Sequence, residues 1–167
     1  MWETRPNYSV VKRQANRLLE EFDVVIPPVD PVYISRSLGV SVHFVTFSGE
    51  ADRISGFYDA REDAIYVNSK EFALRQTFTV AHELGHRILH REWANSSEYK
   101  ILLRDQSLEE NDPYEKEANA FAGNLLVPRK FLDLYASKAT LQQLSQLFAV
   151  SIPMIKTRMA IEYGITA

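Results

Sequence analysis

The chain reads as an α+β fold: a small antiparallel β-sheet packed on a helical core, with a helix-turn-helix-like segment at 139–164. Three observations predict it. Apolar residues recur at helical spacing near both ends. Short β-branched and aromatic runs cluster between 40 and 68. Helix-capping signals punctuate the chain after residue 112.

In chain order, Ser9 is placed to cap a first helix whose Val11, Ala15, Leu18, Leu19 and Phe22 share a face. Pro27-Pro28 breaks it. Asp30-Pro31, a cap followed by a first-turn proline, restarts a short helix that Gly39 ends. "VSVHFVTF" (40–47), "RISGFYDA" (53–60) and "DAIYVN" (63–68) read as strands, the last two joined as a hairpin through "AREDA". A longer helix is expected over roughly 71–90. Residues 91–111 read as polar and irregular, apart from "YKILL", a short strand or flap. Asp112-Pro113 opens the next helix and Pro128 another. Thr140 with Gln143 forms a capping box, and Ser151 caps a last helix that Gly164 closes.

Composition bounds the function. At 167 residues, 46% hydrophobic and 25% charged, the chain is expected to be one globular domain over 1–167. A net charge of −3 gives no electrostatic footprint for nucleic acid or an anionic membrane. No apolar run reaches the ~18 residues of a membrane span, and the charged N-terminus does not read as a signal peptide, so a cytoplasmic location is expected. With no cysteine, any metal must be held by His, Asp or Glu.

The chemistry concentrates in "TVAHELGHRILH" (79–90), which holds three of the four histidines. His82 and His86 are four apart, so on a helix both imidazoles project from one face and can reach one ion. Glu83 sits roughly 100° around the helix, placed to act on a water as general base. Phe78, Val80, Ala81, Leu84, Ile88 and Leu89 surround this trio with apolar surface. Burying such a polar group is costly without compensation, and a cation compensates it. His90 lies about 12 Å along the axis from His82 and cannot share the ion. It reads instead as a C-terminal helix residue favoured by the helix dipole.

A third ligand must come from elsewhere. In "YEKEANAFA" (114–122), Glu115 shares a stripe with Ala118 and Ala122, small residues that admit a second helix, and Asn119 alongside can support a ligating histidine. Glu115 also falls where a capping-box glutamate sits. Glu117, on another face, is the rival ligand.

Together, "RQTFTVAHELGHRILH" (75–90) and "EKEANAFAGNLLVP" (115–128) resemble the ImmA/IrrE family of bacterial and phage metallo-endopeptidases, with similarity over roughly 8–163. The resemblance implies a helical core carrying the HExxH motif and a thermolysin-like (gluzincin) zinc site, with His82, His86 and Glu115 as ligands and Glu83 as catalytic base. Manganese is the alternative metal. The family's usual Leu-Leu-Met-Pro reads Leu125-Leu126-Val127-Pro128 here. Members typically cleave a helix-turn-helix repressor encoded nearby, inducing phage, mobile-element or stress genes, and some form toxin–antitoxin-like pairs. Tyr58, Tyr66, Tyr99 and Tyr114 are candidates to steady the oxyanion, and the strand at 64–68 could accept the substrate as an added strand.

Two other readings compete. The segment 140–164 has a helix-turn-helix pattern, but its second helix offers only Lys156 and Arg158 as cations in an acidic chain, so direct DNA binding is disfavoured. An interaction module with a structural zinc would need a fourth protein ligand, and only three stand out. A flap over 91–111 would keep such a protease latent.

Overall fold

The computed structural model describes residues 5–96, 102–103 and 112–166. Its elements run α1 (Tyr8–Glu21), α2 (Pro31–Ser37), β1 (Ser41–Val45), β2 (Ile54–Asp59), β3 (Ala64–Asn68), α3 (Ala73–Leu89), α4 (Arg91–Ala94), β4 (Leu102–Leu103), α5 (Pro113–Leu126), α6 (Arg129–Tyr135), α7 (Leu141–Phe148) and α8 (Ile152–Tyr163). This is an α+β arrangement.

The caps account for most boundaries. Asp30 accepts from the Val32 and Tyr33 amides, and Asp112 from that of Tyr114. Thr140 and Gln143 make both bonds of their capping box. The first helix departs from expectation: Asn7, not Ser9, caps it by accepting from the Val10 amide at 3.2 Å. The Asn7 amide itself donates to Glu117 at 2.7 Å. The helix thus starts ahead of Ser9, at a residue whose own side chain caps it.

The sheet is mixed rather than antiparallel, in the order β1-β3-β2-β4. β2 and β3 form the expected hairpin, turned by Asp59, whose carboxylate accepts from the Arg61 and Glu62 amides. β3 then lies parallel to β1, from Ser41↔Ala64 to Val45↔Asn68. Strand order is a tertiary choice, and no local pattern reports it. One expectation falls with it. β3 is a central strand whose backbone is paired on both sides, so it has no edge to offer a substrate. "YKILL" contributes β4, paired with β2. Residues 91–94, expected to be irregular, form the short helix α4 with Trp93 and Ala94 buried.

α3 runs between the sheet and α5, packing on β2 and β3 with one side and on α5 with another. An eight-residue stretch, Thr79–His86, is therefore buried without interruption. Two glycines set the spacing. A Cβ at Gly56 on β2 would stand 2.5 Å from both the Thr79 side chain and the Tyr66 carbonyl oxygen. A Cβ at Gly85 would stand 3.0 Å from the ring and 3.1 Å from the Cβ of Phe121 on α5. Ala118 and Ala122, fully buried, complete the close α3–α5 contact.

The C-terminal helix is tied to the body by buried charge. Arg158 donates to the Val127 carbonyl at 3.0 Å and to Glu162 at 2.8 Å, and Lys12 of α1 reaches Glu162 at 3.0 Å. Burial pushes the Glu162 carboxyl up, but Lys12 and Arg158 outweigh it and hold it below the usual carboxylate range.

Two predictions follow from these contacts. Because the Glu162 pKa is depressed on folding, its contribution is complete above the ordinary value of 4.5 and lost as pH falls through the folded value. Glu162→Gln should cost about 1–3 kcal/mol at pH 7. In urea melts the gap to wild type should persist down to the ordinary value of 4.5 and close as pH falls below it; a gap independent of pH would contradict the pairing. Gly85→Ala gains about 1 kcal/mol of helix propensity. It forces buried Phe121 aside at about 1–3 kcal/mol, so thermal melts should show a net loss of stability.

Candidate metal centre

His82 and His86 face Glu115 across the α3–α5 contact. The two imidazoles, one helical turn apart, are fully buried, and their rings meet edge-on at 4.8 Å. Glu115, in the first turn of α5, presents Oε2 to His82 Nε2 at 3.0 Å and Oε1 to His86 Nε2 at 3.1 Å. One donor atom from each of the three lies within 4.8 Å of the others. Glu115 does not act as a capping-box residue: both of its oxygens are turned to the two imidazoles.

The outer ring atoms are engaged separately. His82 Nδ1 meets Asn119 Oδ1 at 2.9 Å, and His86 Nδ1 meets His90 Nδ1 at 3.1 Å. His90 Nε2 in turn contacts Glu117 Oε2. Trp93 and Tyr114 stack at 4.4 Å, and both rings stand edge-on to His90. Phe78 lies against His82 on the other side, ring centroids 5.8 Å apart.

The electrostatics suit a cation. Burial pushes the His86 imidazole down to about 4, which keeps it neutral and able to ligate at pH 7. Burial raises the Glu115 carboxyl, but His82 and His86 outweigh that and hold it far below the carboxylate range. Burial also opposes charge on His82; there Glu115 and Glu83 win and raise its proton affinity. The carboxylates thus draw positive charge towards His82. A divalent ion would supply that charge to all three donors together. Two imidazole nitrogens and a carboxylate, with no thiolate in the chain, form a donor set that fits such an ion.

The other residues singled out from sequence are dispersed. Glu83 is fully buried next to His82 and close enough to influence its proton. Glu117 is turned to His90 and the Asn7 amide, outside the donor cluster. Tyr58 is buried and donates to Asp63, which Arg87 also holds. Tyr66 donates to Glu62 at the hairpin. Tyr114 packs in the aromatic group around His90. Tyr99 and most of the 91–111 loop lie outside the described residues.

His90 is not a dipole-stabilised helix end. It is buried, and burial lowers its pKa despite Glu117, so it carries no charge for the dipole to favour. The available signal was its spacing: His90 follows His86 by four, continuing the same helical face.

Beside the centre opens a groove of about 1510 Å³ between the start of α3, α5 and α8. Phe78 and Asn119, which both touch His82, form part of its wall, with Phe72, Met154, Thr157 and Ile161 further along.

The model of the IrrE N-terminal-like domain, peptidase M78, matches residues 36–160. The chain is 31% identical over 128 residues to the uncharacterized immunity region protein 2 of Bacillus phage phi105, covering 75% of this chain and 73% of that protein. In fold it is similar to a Mycobacterium tuberculosis transcriptional regulator, with a TM-score of 0.66 at 19% identity over 91% of this chain. It spans about half of that regulator, 46% of its length. The family match, over the segment that carries both helices of the centre, makes this chain a member of the IrrE N-terminal-like (ImmA/IrrE) metallopeptidase family.

Proposed function

We propose that the protein is a zinc-dependent endopeptidase that cuts a specific partner protein, a helix-turn-helix transcriptional repressor encoded nearby. The observation that carries this reading is the convergence of His82, His86 and Glu115 in a buried cluster with Glu83 alongside. Membership of a peptidase family and similarity to a phage immunity-region protein support it.

His82 and His86 through Nε2, with a Glu115 oxygen, would hold the metal. Bound there, Zn²⁺ supplies Lewis-acid polarisation of a carbonyl and acidifies a water molecule. The chain's own residues do the rest. Glu83 accepts the proton of the attacking water at its carboxylate and passes it to the departing amine nitrogen. Asn119 accepts from His82 Nδ1, which keeps Nε2 free of a proton. Burial of all four groups excludes bulk water and strengthens each electrostatic contact. Among the tyrosines, Tyr58 and Tyr66 are committed to Asp63 and Glu62. Tyr114 is stacked on Trp93 beside His90.

The groove supports a polypeptide substrate. Its volume exceeds the ~300–1,000 Å³ of small-molecule sites. Its wall is apolar where Phe72 and Ile161 lie exposed, and it leads to the residues that touch His82. The alternative, a DNA-binding or protein-interaction regulator with a structural or vestigial zinc, has less support. Arg158, one of two cations counted for DNA contact, is buried and bound to Val127 and Glu162. Only three donors form the metal cluster among the described residues, where structural sites normally have four.

Two outcomes test the reading. Glu83→Gln should keep one equivalent of zinc and lose at least about 100-fold in kcat on the repressor; full cleavage by that variant removes Glu83 from the mechanism. Ile161 is 65% exposed, so Ile161→Glu should fold normally. It should lower kcat/KM about tenfold at unchanged metal content if the groove seats apolar substrate side chains; an unchanged kcat/KM would move the substrate elsewhere.

A further inference from the structure

The two histidines of the centre are supported in different ways. His82 rests on one neutral amide, Asn119. His86 rests on a chain: its Nδ1 faces His90 Nδ1 at 3.1 Å, His90 Nε2 faces Glu117 Oε2, and Glu117 Oε1 accepts from the Asn7 amide at 2.7 Å. The chain links the metal centre to the cap of α1.

Hydrogen counting gives this chain a direction. Two imidazole nitrogens in contact need one proton between them, no more and no fewer. If His86 uses the Nε2 lone pair for a metal, its neutral ring carries hydrogen on Nδ1, and that hydrogen points at His90. His90 must accept it at Nδ1, which leaves its own hydrogen on Nε2, directed at the Glu117 carboxylate. Every donor then meets an acceptor. The opposite polarity would need His86 to accept at Nδ1, placing its proton on the nitrogen that faces Glu115.

We propose that His90 and Glu117 are positioning residues that lock His86 in its Nδ1–H tautomer and, by placing a carboxylate at the far end of the relay, make His86 the stronger of the two imidazole donors. This rests on the metal-site reading above. The ring stack of Trp93 and Tyr114, edge-on to His90, fixes the His90 plane so that both nitrogens stay in line. The relay explains why a histidine too far along the helix to share an ion with His82 is nonetheless buried on the same face.

The test reads tautomers directly. In ¹⁵N-labelled, zinc-loaded protein the chain's four histidines give a simple imidazole spectrum. His86 should be protonated at Nδ1, and His90 should be neutral and protonated at Nε2. A His90 protonated at Nδ1, or at both nitrogens, overturns the relay without any variant. His90→Phe, which keeps a ring against Trp93 and Tyr114 but removes the acceptor, should weaken zinc binding about 10–100-fold in a chelator competition titration. If wild type binds zinc and His90→Phe binds it equally tightly, the relay assignment alone fails. If wild type takes up no zinc, the proposed function fails and takes the relay with it.

Discussion

Charge balance inside the α3–α5 contact is the constraint on which the rest of the molecule depends. Glu83 and Glu115 are both buried, beside two fully buried imidazoles, one of which burial keeps neutral. Isolated buried charge is expensive by several kcal/mol per ion, even after relaxation. The raised proton affinity of His82 answers one of these carboxylates, and a divalent cation would answer both. A site built for stability alone would be better served by apolar side chains of the same volume, so a function is the economical reason to keep these four groups together.

The fold serves that contact from both sides. The sheet presses against α3 at Gly56 and Thr79, where there is no room for a methyl group. On the other side Gly85, Ala118 and Ala122 let α5 come close enough for Glu115 to span both imidazoles. α1 closes on α5 and contributes the Asn7 amide to Glu117. α8 is held through Arg158 to the Val127 carbonyl and through Glu162 to Lys12, and forms the far wall of the groove. The His82–His86–Glu115 cluster, its outer supports and the groove thus share the same few helices, and a disturbance of α5 would reach all of them.

Much of this was legible in the sequence, for identifiable reasons. The 82/86 spacing, the stripe of Glu115 with two alanines, and the Asp-Pro, Thr-Gln and Ser caps are local, and local rules read them. What escaped was tertiary. The parallel pairing of β1 with β3 depends on which strand inserts between which, and that choice made β3 central. Asn7, which caps α1 with its side chain, also donates its amide to Glu117, 110 residues away. Helical spacing puts His90 too far along the axis to share an ion with His82; its role as acceptor for His86 needs the position of Glu117, which spacing alone puts only on a different face. Gly85 lay inside the recognised motif, yet its close approach to Phe121 becomes visible only once both helices are placed.

The most direct test of the central claim is a crystal structure of the zinc-supplemented protein, with anomalous diffraction recorded on both sides of the zinc absorption edge. The account predicts one anomalous peak within about 2.0–2.2 Å of His82 Nε2, His86 Nε2 and a Glu115 oxygen. Density free of any such peak, with Glu115 hydrogen-bonded to a protonated His82, would contradict it.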